Sequence, residues 1–178
     1  MSKEYVRDEY PFRNITQEEA DLLCAKHVLW LHGQGGEQAN FEGCSLSYLD
    51  LSHRNFAGAS FRGSRIYETD LRHSRLDAAD FTDAVIAGGD LRYSSAQKAL
   101  FRNTVLDRCL CLYTCFRESD FSGARMQTTI TDGSDWTGCR LEKCAFQDTF
   151  MDQVIGKQDS LRLDEQDEGQ NPGPAFSN

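Results

Sequence analysis

Residues 39–63 read Ala39-Asn-Phe-Glu-Gly, Cys44-Ser-Leu-Ser-Tyr, Leu49-Asp-Leu-Ser-His, Arg54-Asn-Phe-Ala-Gly and Ala59-Ser-Phe-Arg-Gly, five units of five residues with Phe or Leu at each middle position. The pattern extends outward without a slip. From Phe41 to Met151 every fifth residue is drawn mainly from a narrow apolar set, which gives 23 centres in one register. Two residues before each centre stands a small side chain, such as Ala59, Ser64, Thr69, Ala84, Gly89, Cys109 or Ser134; only Leu49 and Arg54 break the rule.

A period of five fits neither the 3.6 of an α-helix nor the 2 of a plain strand. Each unit therefore makes a short extended piece with two residues pointing inward and then turns a corner. Four corners close a square coil, and a spacing of 20 aligns Phe41, Phe61, Phe81, Phe101 and Phe121, with Leu141 ending the column. The second inward position must be small because a narrow coil has no room for another large side chain. Coils stacked about 4.8 Å apart for about 5.7 turns predict a rod roughly 27 Å long.

Units such as Ala39–Gly43, Ala59–Gly63, Thr69–His73, Ala79–Asp83, Gly89–Tyr93, Ser119–Gly123 and Ser134–Gly138 resemble the pentapeptide-repeat family over about 113 of the 178 residues. The resemblance implies an all-β fold, a right-handed quadrilateral β-helix, whose handedness periodicity alone does not supply. Before the repeats, Thr16-Gln-Glu-Glu19 is a capping-box pattern, and Ala20, Leu23, Cys24, His27 and Leu31 share one helical face. A helix over about 17–32 is expected to plug the first coil, because an open solenoid end exposes apolar rings and strand edges. Residues 27–43 also look like the helix-to-repeat junction of short prokaryotic and phage pentapeptide proteins. The expected organisation is an N-terminal segment 1–38 carrying the helix, the β-helix 39–153, and a C-terminal cap and acidic tail 154–178.

The net charge is −9, from 28 acids against 19 bases, and the pI is about 4.9. Such a chain is a poor direct binder of nucleic acid or anionic membrane. No stretch approaches the roughly 18 apolar residues of a membrane span, and the polar start from Met1 to Arg13 has no apolar signal core, so a cytoplasmic location is expected. Seven cysteines without a secretory signal read as reduced thiols filling small core sites. Segments 1–39, 40–153 and 154–178 each contribute −3. Within the repeats the acidity gathers on the face centred on Leu51, Leu71, Leu91, Cys111, Thr131 and Met151, called here the Leu51 face. Its outward positions hold Asp50, Asp70, Asp90, Asp132 and Asp152 against Arg72 and Arg92. The later coils of the same face point Leu110, Leu112, Tyr113, Ile130 and Phe150 outward, and Tyr93, His73 and His53 continue a column toward the first coil. An apolar and aromatic patch beside a carboxylate row is the composition of a protein-binding surface.

No phosphate-binding glycine loop, zincin histidine pair or nucleophile elbow occurs, and the glycines sit mostly at unit corners. No catalytic, cofactor or metal residues are assigned: Cys109 and Cys111 point inward while Cys115 points out, and His53 over His73 reads as a solvated polar column. Arg54 stands alone as a guanidinium at an inward position, with Glu18, Glu19 or Asp21 of the helix as its expected partner. The expected function is non-catalytic protein binding. Family members that resemble duplex DNA in shape and charge act on DNA gyrase, so the resemblance implies a DNA-mimic inhibitor or modulator of a nucleic-acid-handling enzyme. That enzyme would be a topoisomerase, or a restriction or CRISPR nuclease were the gene phage-borne. Asp50, Asp70, Asp90 and Asp132 would stand in for phosphates, and Tyr93, Leu110, Leu112, Tyr113, Ile130 and Phe150 would add contact energy. Two features weaken a transfer to gyrase: the rod is nearly charge-balanced, and no loop interrupts the repeats. The alternative is a self-assembling scaffold, a homodimer formed through the apolar patch or an end coil.

Overall fold

The computed structural model describes residues 12–156. They form the quadrilateral right-handed β-helix with one N-terminal helix that the period and the resemblance together implied. Strand β1 (Arg13–Asn14) and helix α1 (Gln17–Leu31) precede β2 (Cys44–Ser47), β3 (Arg65–Tyr67), β4 (Val85–Ala87), β5 (Val105–Asp107), β6 (Arg125–Gln127) and β7 (Ala145–Gln147). These strands make one parallel sheet in sequence order, and from β2 onward each residue pairs with the one 20 further on, as in Leu46, Ile66 and Ile86. The other three faces are held by single parallel bridges with the same 20-residue step, for example Asn40 to Ser60, Asp50 to Asp70 and Asn55 to Arg75.

The interior follows the pattern of large centres and small partners. Phe41, Phe61, Phe81, Phe101 and Phe121 stack with centroids 4.9, 4.7, 4.9 and 4.6 Å apart, and Phe56 and Phe116 meet this column edge-on. All seven rings are fully buried. The small inward residues that are polar find acceptors in the coil itself: Thr69 donates to the Leu46 carbonyl at 3.0 Å, Thr104 to Phe81 at 2.7 Å, and Ser119 to Ala96 at 2.6 Å. Ser, Thr and Cys are therefore tolerated beside Ala in a dry core, because each hydroxyl or thiol lies beside a carbonyl.

The corners do not depend on glycine. Every unit ends on a residue with positive φ, from Gly43 to Gln153, and most of these are not glycine: Tyr48 sits at 60°, Glu68 at 45° and Thr128 at 50°. A glycine eases such a corner but is not needed, because the ladder of hydrogen bonds on both sides over-determines the turn.

The first coil is closed by the N-terminal segment. Thr16 and Glu19 form the reciprocal capping box, and Ala20, Cys24 and His27 of α1 are buried. β1 extends the sheet edge at Cys44 and Ser45. The Gln17 side-chain amide both donates to the Asp50 carbonyl and accepts from the Asp50 N–H, each at 2.9 Å, so it acts as a substitute strand. His27 accepts the Ala39 N–H on Nδ1 at 3.1 Å. Arg54 reaches Asp21 of α1 at 2.7 Å with both side chains nearly half exposed, so the coil opens locally at this unit and no charge is buried.

At the other end Leu141, Cys144 and Phe146 are only partly covered by described residues. The cap and acidic tail expected over 154–178 lie, beyond Gly156, outside the described residues. All seven cysteines are free thiols. Burial pushes the Cys109 thiol up to about 12 and Cys111 well above the ordinary thiol range. Among the described residues no helix is long and apolar enough to cross a membrane.

Candidate protein-binding face

The fold brings all ten residues singled out above onto the Leu51 face, in three parallel columns. Asp50, Asp70, Asp90, Leu110, Ile130 and Phe150 bridge one another in succession and form the first. Ser52, Arg72, Arg92, Leu112, Asp132 and Asp152 follow two positions later, and the corner column holds His53, His73, Tyr93, Tyr113, Gly133 and Gln153. The face is therefore polar in its first three coils and mainly apolar beyond them.

The polar half is not a bare line of charge. Asp50, Asp70 and Asp90 each accept the backbone N–H two residues on, at 3.0, 2.9 and 3.1 Å, which closes a local turn at the corner. The Arg72 guanidinium grips the Asp70 carboxylate through Nε and a terminal nitrogen at 2.6–3.0 Å, and Arg92 grips Asp90 in the same way. Arg72 also lies 3.7 Å from Asp90. These bonds hold Asp70 below the usual carboxylate range, and the Ser52 hydroxyl and N–H do the same for Asp50. The same turn recurs with the pattern Asp-x-Ser/Thr at Asp80, Asp120 and Asp135, as at Asp50, whereas Asp70 and Asp90 close it onto an arginine. The sequence places the two arginines on the face as charges, and the structure adds that each encloses its own aspartate. A shallow depression of about 400 Å³ lies among Glu68, Asp70, Arg72 and Arg92. Gly88 also lines it, and a Cβ there would meet the end of the Glu68 side chain.

The corner column is a ladder of parallel rings: His53 on His73 at 4.8 Å, His73 on Tyr93 at 5.2 Å and Tyr93 on Tyr113 at 5.3 Å. Gly133 ends it, and the Tyr113 ring lies so close that a Cβ at 133 would come within 2.5 Å. In the apolar half Tyr113 and Phe150 are more than half exposed and Leu110, Leu112 and Ile130 partly so. Asp132 accepts the Asp152 N–H at 2.9 Å and, like Asp148 and Asp152, has no ion pair among the described residues. Ile155, 58% exposed on the adjacent face, extends the apolar surface toward the last coil and was not anticipated.

The family model for pentapeptide repeats matches residues 44–83 and 90–123 in eight copies. These segments of the chain are pentapeptide repeats. No curated protein matches this chain. Among solved structures it is similar to Rfr23, a pentapeptide-repeat protein of the cyanobacterium Cyanothece 51142, with 15% identity over 67% of this chain and 89% of that one and a TM-score of 0.31. It is similar to alr5209 of Nostoc Pcc 7120, with 15% identity over 80% and 99% and a TM-score of 0.36. Full-length QnrB1, a plasmid-mediated fluoroquinolone resistance protein, matches with 15% identity over 79% and 89% and a TM-score of 0.32.

Proposed function

We propose that this protein is a non-catalytic, cytoplasmic protein-binding module. Through its Leu51 face it engages and restrains an enzyme that handles nucleic acid. The carrying observation is the division of that one flat face into an aspartate column and an apolar, aromatic continuation of the same column. A duplex-binding cleft is basic and accepts a rod with a regular row of anions. Asp50, Asp70, Asp90 and Asp132 supply the row. Because Arg72 and Arg92 already enclose two of these carboxylates, the charge term is smaller than four free aspartates would give. The larger share of contact energy then falls to Tyr93, Leu110, Leu112, Tyr113, Ile130 and Phe150.

The test is inhibition of a type II topoisomerase and of DNA-cleaving nucleases by the purified protein, with linear duplex as competitor. Inhibition relieved by duplex, weakened by salt, and lost when Asp50, Asp70, Asp90 and Asp132 are changed together to Asn supports the reading. Inhibition indifferent to both salt and these four substitutions rules out mimicry.

A second reading is self-assembly, favoured by the partly covered Leu141 and Phe146 of the last coil beside exposed Phe150 and Ile155. It expects a salt-insensitive dimer in sedimentation that Leu110→Asp with Ile130→Asp converts to a folded monomer. A dimer unaffected by that pair of substitutions excludes the face as its interface.

A further inference from the structure

We propose that the C-terminal half of the Leu51 face, built from Tyr93, Leu110, Leu112, Tyr113, Ile130 and Phe150, docks a basic amphipathic α-helix of a partner protein. The inference rests on the protein-binding reading above and names the chemistry of what is bound.

Three observations select the occupant. The first is that most of the backbone of this half is already consumed by the ladder between coils. Leu110 N–H donates to Gly89, Cys111 to Ile130, Ile130 to Cys109, Tyr113 to Asp132 and Phe150 to Thr129, at 2.7–3.0 Å. A partner strand would find no continuous row of free main-chain donors and acceptors there, whereas a helix satisfies its own backbone and offers only side chains. Its pitch of about 5.4 Å is close to the rung spacing of about 4.8 Å, so apolar residues one turn apart meet successive rungs over a few turns.

The second observation is the charge at the rim. Asp132, Asp148 and Asp152 carry no ion pair among the described residues, while Arg92 is engaged by Asp90 and Arg108 by Asp107. The field over the patch is negative, and lysines or arginines flanking an apolar stripe complement it.

The third is that this charge disfavours the two occupants the chain itself supplies. Residues 157–178 hold Asp159, Asp164, Glu165, Asp167 and Glu168 against Lys157 and Arg162. A second copy of the face would bring its own Asp132, Asp148 and Asp152 against the same three. Like charges oppose both, so the complementary ligand is cationic as well as apolar.

The probe is a labelled synthetic helix of about 18 residues made of Leu and Lys, with leucines at i, i+3, i+4 and i+7. It is compared with a Leu/Glu peptide of the same pattern and with a scrambled Leu/Lys peptide. Anisotropy measures affinity to the full chain, and methyl NMR reports on Leu110, Leu112 and Ile130. The patterned Leu/Lys peptide is expected to bind roughly tenfold or more tightly than either control and to shift those methyl signals. Tyr113→Ser with Phe150→Ser, and separately Asp132→Asn with Asp148→Asn and Asp152→Asn, each weaken it about tenfold, with circular dichroism confirming the fold. Glu142→Gln, at an exposed position on the opposite face, leaves it unchanged. Equal binding of the scrambled peptide, no effect of either set, or NOEs in the free protein from the Ile130 methyls to residues 157–178 would overturn the inference. Enzyme inhibition that persists while no peptide binds overturns this inference alone. Loss of both removes the protein-binding reading beneath it.

Discussion

Replacing Phe101 by Ala at the middle of the ring column tests whether the stacked phenylalanines hold the rod together or merely fill it. Phe101 is fully buried, 4.9 Å from Phe81, 4.6 Å from Phe121 and edge-on to Phe116 at 5.7 Å. Truncating a buried phenylalanine costs about 3–5 kcal/mol, the lost transfer energy and the cavity together. The neighbouring rings cannot close the gap, because the ladder fixes every rung at the same spacing on all four faces. At an m-value near 3 kcal/mol/M in urea, that cost moves the midpoint down by about 1–2 M. Position matters as well as size, since a solenoid's stability is close to a sum of repeat and nearest-neighbour terms. Weakening a central interface should let the coils after Phe101 unfold before those ahead of it. Trp136, buried against Phe116 and Phe121, reports on the later coils. Trp30 of α1, stacked on His27, reports on the first. Urea melts followed in Trp30→Phe and Trp136→Phe backgrounds should separate in the Phe101→Ala protein and coincide in its parent. A loss under about 1 kcal/mol with coincident melts would refute the argument that the ring column couples the two halves.

Four other outcomes follow from the first coil and the thiols. Burial pushes His27 below the ordinary histidine range, and its Nδ1 is used as an acceptor. A depressed folded value means its contribution is whole above about pH 6.5 and is lost as pH falls through the lower folded value. His27→Asn should flatten Tm against pH in that range, and the carboxylates held low, such as Asp50 and Asp70, should begin to matter only at more acid pH. Arg54→Ala removes a half-exposed pair, so the loss should stay near 0–1 kcal/mol by urea melt, and a drop of several kcal/mol would show that the guanidinium is buried in solution. Gln17→Ala deletes both amide bonds to Asp50 and should cost about 1–2 kcal/mol while speeding exchange of the Asp50 amide; unchanged exchange would deny the edge-sealing role. In the native state a thiol reagent should label partly exposed Cys115 well before buried Cys109, Cys111 and Cys139.

Much of the architecture could be read from residue order. A period of five with alternate large and small inward residues has one economical solution, a four-cornered coil, because side-chain volume inside a narrow tube is set by packing and by nothing more distant. The same 20-residue spacing placed Phe41 over Phe61 and His53 over His73, and Thr16 with Glu19 marked the start of α1 by a contact three residues long. The face that collects Asp50, Asp70, Asp90, Leu110, Ile130 and Phe150 was visible for this reason also.

Only the tertiary structure decided which charges on that face are free. Asp70 and Asp132 look alike in a list of outward residues, yet one is enclosed by Arg72 and the other has no cation beside it. The difference comes from side-chain reach across a corner, which composition does not encode. The partners of Arg54 and Asp50 lie in α1, 33 residues away in each case, and depend on how the helix lands on the first coil. Likewise the positive φ at Tyr48, Glu68 and Thr128 is imposed by ladders on either side, so no residue at the corner announces it. The sequence by itself determined the shape of the rod and the order of its surfaces, since both repeat along the chain. What that surface presents to a partner was decided by contacts between coils and between coil and helix, which have no period.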